Sequence, residues 1–158
     1  CGELQRILKP TGSFWLNIGD AYLKKNLLGI PWRVALRLTD EKGWLLGVAT
    51  GKSDRGLARC LDHHGIKGLF VSLQTADRHP SKPHPSMVYE ALADAGVDAG
   101  QAVVIGDTVY DIHMGRAAGC RTIGVGWGYH PLSELGEAGA DHLVETMEEL
   151  RLALEYGA

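Results

Sequence analysis

Two carboxylates set four residues apart, Asp107 and Asp111, mark the stretch Val104-Ile105-Gly106-Asp107-Thr108-Val109-Tyr110-Asp111. The apolar run Ala102 to Ile105 ends abruptly in Gly106, an acid follows, and the second acid falls where a helical pattern begins. That order places both acids at the carboxyl end of a buried parallel strand, the edge at which open α/β sheets bind ligands. Paired carboxylates there suit Mg²⁺, which takes one or two protein carboxylates and shares its other positions with water and substrate phosphate. Taken singly, the same stretch is equally a strand-end turn whose Asp111 caps the next helix.

The elements that must position these acids alternate along the chain. Glu3 to Leu8 reads as the end of a helix stopped by Pro10 and Gly12, and Ser13 to Ile18 as a buried strand with aromatic weight. Ile30 to Thr39 is helical with Pro31 in its first turn. Trp44 to Ala49 is the next strand, Arg55 to His64 a helix stopped by Gly65, and Gly68 to Leu73 a third strand. A polar, proline-marked loop from Gln74 to Pro85 leads to a helix over Ser86 to Ala95. The fourth strand is Ala102 to Ile105, followed by a helix over Ile112 to Ala118 and a fifth strand over Arg121 to Val125. Leu132 to Ala138 reads as a short helix, His142 to Val144 as an edge strand, and Met147 to Glu155 as a final helix. Strand and helix in strict alternation predict a parallel sheet covered on both faces.

The bulk numbers bound the function without naming it. A chain of 158 residues is one domain with room for a real core, and 45% apolar with 22% charged residues is ordinary for a soluble globular protein. A net charge of −3 with no basic stripe gives no nucleic-acid footprint. No apolar run approaches the length of a membrane span, and no signal-peptide pattern is present. Cys1, Cys60 and Cys120 have no metal-ligand spacing and read as reduced thiols, which fits a cytoplasmic location. The chain opens at Cys1 inside a helix-like pattern, which suggests a fragment or a processed product.

Three separated motifs carry a resemblance. The first is a strand ending in Thr50, within VATGKS; the second is Lys82, within HPSKPHPSMVYEAL; the third is GDTVYD, with Asp107 and Asp111. Together with AAGCRTIGVGWGYHP and AGADHLVET, they make the chain from about Gly43 to the end resemble the C-terminal part of a haloacid-dehalogenase (HAD) superfamily phosphatase, near the phosphoglycolate phosphatase group. The resemblance implies a three-layer sandwich around a Rossmann-like parallel sheet of five to six strands, ordered 3-2-1-4-5 along this chain. It implies hydrolysis of a small phosphorylated metabolite, a phosphate monoester, through an aspartyl-phosphate with Mg²⁺ as cofactor. By that resemblance Thr50 and Gly51 bind phosphate, helped by backbone N–H groups that open the next helix. Lys82 neutralises phosphate and nucleophile together, Asp107 holds Mg²⁺, and Asp111 supports the ion directly or through water. On their own, Thr50 would read as a helix N-cap and Lys82 as a solvated loop lysine.

The family's first motif, an apolar strand ending Asp-x-Asp-Gly-Thr, does not occur in these residues. The upstream strand SFWLNIGD places Asn17 where the nucleophile belongs and Gly19 where the general acid belongs, with Asp20 one step beyond. Residues 3 to about 45, with the run LKPTG-strand-NIGD-helix, resemble instead a segment of a DNA N4-cytosine/N6-adenine methyltransferase. That family's catalytic (D/N/S)PP(Y/F/W) and glycine-containing cofactor motifs are absent, so the segment implies a fold element and not methylation. The expected organisation is therefore a single domain over residues 1–158, joined near Gly43-Trp44-Leu45 from a methyltransferase-like piece (1–44) and a HAD core (45–158). The cap would be essentially absent, reduced to the loop Ala21 to Gly29. The expected function is an impaired HAD-like phosphatase; the alternatives are a non-catalytic chimera that retains a Mg²⁺ and phosphate site and, more remotely, a methyltransferase fragment.

Overall fold

The acid-bearing strand lies deep in the protein, with Ala102, Val103, Val104 and Ile105 each at most 2% exposed. A computed structural model of the chain describes residues 13–16, 22–23, 26–27 and 43–156. The strands are β1 (Ser13–Leu16), β2 (Tyr22–Leu23), β3 (Asn26–Leu27), β4 (Leu45–Thr50), β5 (Phe70–Thr75), β6 (Ala102–Gly106), β7 (Arg121–Val125) and β8 (His142–Val144). The described helices are α1 (Asp54–His64), α2 (Ser86–Ala95), α3 (Val109–Ala117), α4 (Leu132–Glu137) and α5 (Met147–Tyr156).

Six strands form one sheet in the order β5-β4-β1-β6-β7-β8, with every pairing parallel. The expected order is thus present, with β8 added at the edge. Within it β1 is central, as its composition predicts: Leu16 pairs with Val48 on one side and with Ile105 on the other. Asn17, Gly19 and Asp20, and the helix expected over Ile30 to Thr39, lie outside the described residues. So does most of the loop expected from Ala21 to Gly29, where Tyr22–Leu23 and Asn26–Leu27 pair as a two-stranded antiparallel ladder.

Alternation along β6 divides the core between the two faces of the sheet. Val103 and Ile105 pack with Leu57 and Leu61 of α1 and with Leu150 and Leu154 of α5. Ala102 and Val104 pack with Met87, Val88, Ala91 and Leu92 of α2 and with Met114 of α3. Helices therefore cover both faces, which makes the three layers. Cys120 lies in the second cluster, where burial pushes its thiol up to about 11, so its role is packing.

Two described elements start more than one residue away from the sequence reading. The third strand runs from Phe70 to Thr75 and not from Gly68 to Leu73, because Lys67–Leu69 forms a single 3₁₀ turn first. The helix expected from Ile112 starts three residues earlier, at Val109, because Thr108 caps it there.

Candidate active site

Strand β4 ends in Thr50, which is 1% exposed. Its hydroxyl accepts a hydrogen bond from the Lys52 N–H at 3.3 Å. The N-cap of α1 is Ser53, whose hydroxyl accepts from the Gly56 N–H at 3.1 Å. Thr50 is therefore not the helix cap, and its side chain stays at the strand end. Gly51 follows at an exposed bend, with nothing within 4 Å of where a Cβ would stand.

Lys82 reaches inward from the loop between β5 and α2. Its ammonium donates to Asp111 Oδ1 at 2.7 Å and to the Ala49 carbonyl at 3.0 Å. The side chain is only 13% exposed and that of Asp111 is fully buried. A solvated loop lysine would do neither. The contact ties the end of β4 to the first turn of α3 across the mouth of the sheet.

Asp111 serves two purposes at once. Its Oδ2 accepts from the Thr108 N–H at 3.1 Å and from the Thr108 hydroxyl at 2.7 Å, while the Thr108 hydroxyl accepts from the Asp111 N–H at 3.3 Å. This reciprocal pair is a capping box with the acid at the third helical position. The same carboxylate takes Lys82 on its other oxygen, so capping and ion pairing do not compete. Gly106 makes the approach possible: a Cβ there would stand 2.1 Å from Asp111 Cβ.

Asp107 follows β6 directly and is half-buried. Its Oδ2 accepts from the Tyr129 N–H at 3.0 Å, and its carbonyl accepts from the His130 N–H at 3.0 Å. His130 in turn accepts through Nδ1 from the Val109 N–H at 3.0 Å. The loop after β7 thus folds over the acid, and only glycine fits at its closest point, since a Cβ on Gly128 would stand 2.0 Å from Asp107 Cβ. Burial holds the Asp107 carboxyl above its ordinary range, and the negative charge of Asp111 adds to that. The Tyr129 N–H and the Lys82 ammonium oppose the shift. A carboxylate kept part-desolvated beside a second acid gains from a cation.

The four side chains named from sequence come from β4, the loop before α2, and the β6–α3 turn. The Lys82 ammonium joins two of these groups directly, through Ala49 beside Thr50 and through Asp111 beside Asp107. Gly106, Thr108 and Gly128 join the site only in the structure. For Thr108 the signal was present, a hydroxyl three residues before an acid at a helix start. For Gly128 none was available, because its contact with Asp107 exists only once β6 and β7 lie side by side. Among the described residues no group of three or more His, Cys, Asp and Glu side chains is arranged to hold a metal ion. Mg²⁺ needs fewer, and Asp107, its carboxyl raised by desolvation and by the charge of Asp111, is a donor that suits it.

The chain is similar to known proteins over most of its described length. The chain is 32% identical over 116 residues to a phosphoglycolate phosphatase of Haemophilus influenzae, covering 73% of this chain and 52% of that protein. It is 34% identical over 112 residues to the pyrophosphatase PpaX of Bacillus velezensis, covering 70% of this chain and 51% of that protein. The chain spans about half the length of these relatives. Among solved structures, a haloacid dehalogenase-like protein of unknown function from Agrobacterium tumefaciens superposes with a TM-score of 0.68 at 27% identity, covering 82% of this chain and 60% of that one. The model of the haloacid dehalogenase-like hydrolase family matches residues 33–125, starting upstream of the join expected near Gly43. A match over more than half the chain, continuous through β4, Lys82 and the β6–α3 turn, means that this chain belongs to the haloacid dehalogenase-like hydrolase family.

Proposed function

We propose that this chain carries the phosphate- and Mg²⁺-binding part of a phosphatase for small phosphate monoesters of the phosphoglycolate type, with turnover impaired in these 158 residues. The observation that supports it most is the buried contact of Lys82 with Asp111 at 2.7 Å, beside an Asp107 whose carboxyl is raised by burial.

The roles follow from the positions. The Thr50 hydroxyl and the backbone N–H groups opening α1 bind phosphate oxygens, where the helix N-terminus favours negative charge. Lys82 presents a fixed positive charge to the same oxygens, its ammonium held by Ala49 and Asp111. Preorganised charge of this kind is the largest part of phosphoryl-transfer catalysis. Asp107 would hold Mg²⁺, and Asp111, with both oxygens engaged, supports it from behind through its charge. Bound there, Mg²⁺ supplies further neutralisation of the phosphoryl oxygens.

Covalent transfer also needs an ionised carboxylate in line with phosphorus and an acid for the leaving oxygen. The sequence offers Asn17 and Gly19 at those places. That substitution favours the second reading, a binding domain without turnover. A Mg²⁺-dependent assay with p-nitrophenyl phosphate and phosphoglycolate separates the two. The chain itself should run near background, and an Asn17→Asp, Gly19→Asp variant should gain hydrolysis. No gain would leave binding alone. A trapped phospho-aspartate in the unaltered chain would overturn the alignment and point to Asp20.

A further inference from the structure

A chain of side-chain hydrogen bonds surrounds the Lys82 loop and has no part in the phosphate chemistry described above. Ser72 and Gln74 of β5 are buried, at 3% and 2% exposure, under α2. Asp94 Oδ2 accepts from the Ser72 hydroxyl at 2.6 Å and from Gln74 Nε2 at 2.9 Å. Gln74 Nε2 also donates to the Ser72 hydroxyl at 2.8 Å. A carboxylate only accepts, so it fixes the Gln74 amide with nitrogen toward Asp94 and oxygen toward the loop. That oxygen stands 2.8 Å from His79 Nε2. His79 must therefore carry a proton on Nε2, and in the neutral imidazole Nδ1 is then the acceptor for the Ser86 hydroxyl at 2.8 Å.

Every link in this chain has one direction, from Ser86 through His79 and Gln74 to Asp94. His79 precedes Lys82 and Ser86 follows it, at the first residue of α2. Their bond closes the loop at its base, while Gln74 anchors that base to the sheet. Lys82 lies between the two, reaching Ala49 and Asp111. We propose that His79 is a positioning residue for Lys82, closing the loop through Ser86 and Gln74 so that the ammonium stays between the two strand ends. The consequence for phosphate rests on the function proposed above; the positioning itself does not.

Lysine acetylation by an N-hydroxysuccinimide ester, read residue by residue by mass spectrometry on the 158-residue chain, tests it. In the unaltered chain Lys82 should label slowly and the exposed Lys67 quickly. Ser86→Ala should speed Lys82 labelling about fivefold, the effect of losing one neutral hydrogen bond, and His79→Ala, which loses two, should speed it further, with Lys67 unchanged. Should His79→Ala fail to fold, Ser86→Ala decides, because it leaves the buried Gln74 untouched. An unchanged Lys82 rate, or a rise shared by Lys67, overturns the proposal. Calorimetry with inorganic phosphate and Mg²⁺ separates the two ideas. Labelling that responds in a chain that binds no phosphate leaves the positioning and removes the function. Phosphate binding without any labelling response does the reverse.

Discussion

Lys82 and Asp111 depend on each other for their burial. A carboxylate with no exposure needs its charge answered, and the ammonium at 2.7 Å answers it together with Thr108. Removing one partner of such a pair is costlier than never having had it. Lys82→Ala should therefore destabilise the chain by about 3–5 kcal/mol in denaturant unfolding, beyond any effect on ligand. A cost under about 1 kcal/mol, the usual value of an exposed pair, would mean that the contact is not maintained in solution. Asp107 behaves in the opposite sense. Burial holds its carboxyl above the ordinary value of 3.8, so the folded chain binds the proton more tightly than the unfolded one. Stability at this group is then lost as pH rises from about 3.8 through the raised value. In chelator, Asp107→Asn should melt higher than the unaltered chain at neutral pH and equally at acid pH below that window. A lower neutral melting temperature would show that the charge is welcome even without a cation.

At the scale of elements, the turn between β6 and α3 does most to build the site. Thr108 caps α3 and also holds the buried Asp111. Thr108→Ala should cost about 1–2 kcal/mol, the upper range for a helix cap, measured by thermal or urea unfolding. Gly128→Ala tests the loop above: a methyl 2.0 Å from Asp107 Cβ must push the loop or the acid aside. Mg²⁺ affinity should fall several-fold while α3 keeps its stability; unchanged affinity would place the ion elsewhere. The helix Ser86–Ala95 and the strand Arg121–Val125 were legible to the residue, because apolar runs there are closed by Gly96 and by the turn after Val125. The 3₁₀ turn at Lys67–Leu69 was not, since Gly68 and Leu69 read equally well as the start of the apolar run that follows. The start of α3 is hidden in the sequence for a related reason. From sequence Asp111 reads as cap or ligand, whereas Thr108 is the cap and Asp111 completes the box. The acids of the site could be read from their spacing after a buried strand. The contacts that hold them, from Lys82, Tyr129 and Gly128, arise between segments distant in sequence, and no local pattern carries them.

At the scale of the molecule, six parallel strands bring Thr50, Lys82, Asp107 and Asp111 to one edge of the sheet. No helix among the described residues is long and apolar enough to cross a membrane. The proposed function requires this edge to bind phosphate and Mg²⁺ together, whatever its rate of turnover. Thermal unfolding with Mg²⁺ and inorganic phosphate, each alone and then combined, measures that directly. At ligand about tenfold above its dissociation constant, linkage gives about 1.4 kcal/mol, which in a domain of this size raises the melting temperature by about 3–6 °C. The combined ligands should stabilise the chain by that much, Mg²⁺ should increase the effect of phosphate, and Asp107→Asn should abolish the increase. No shift at millimolar ligand, or an equal shift in Asp107→Asn, would contradict it.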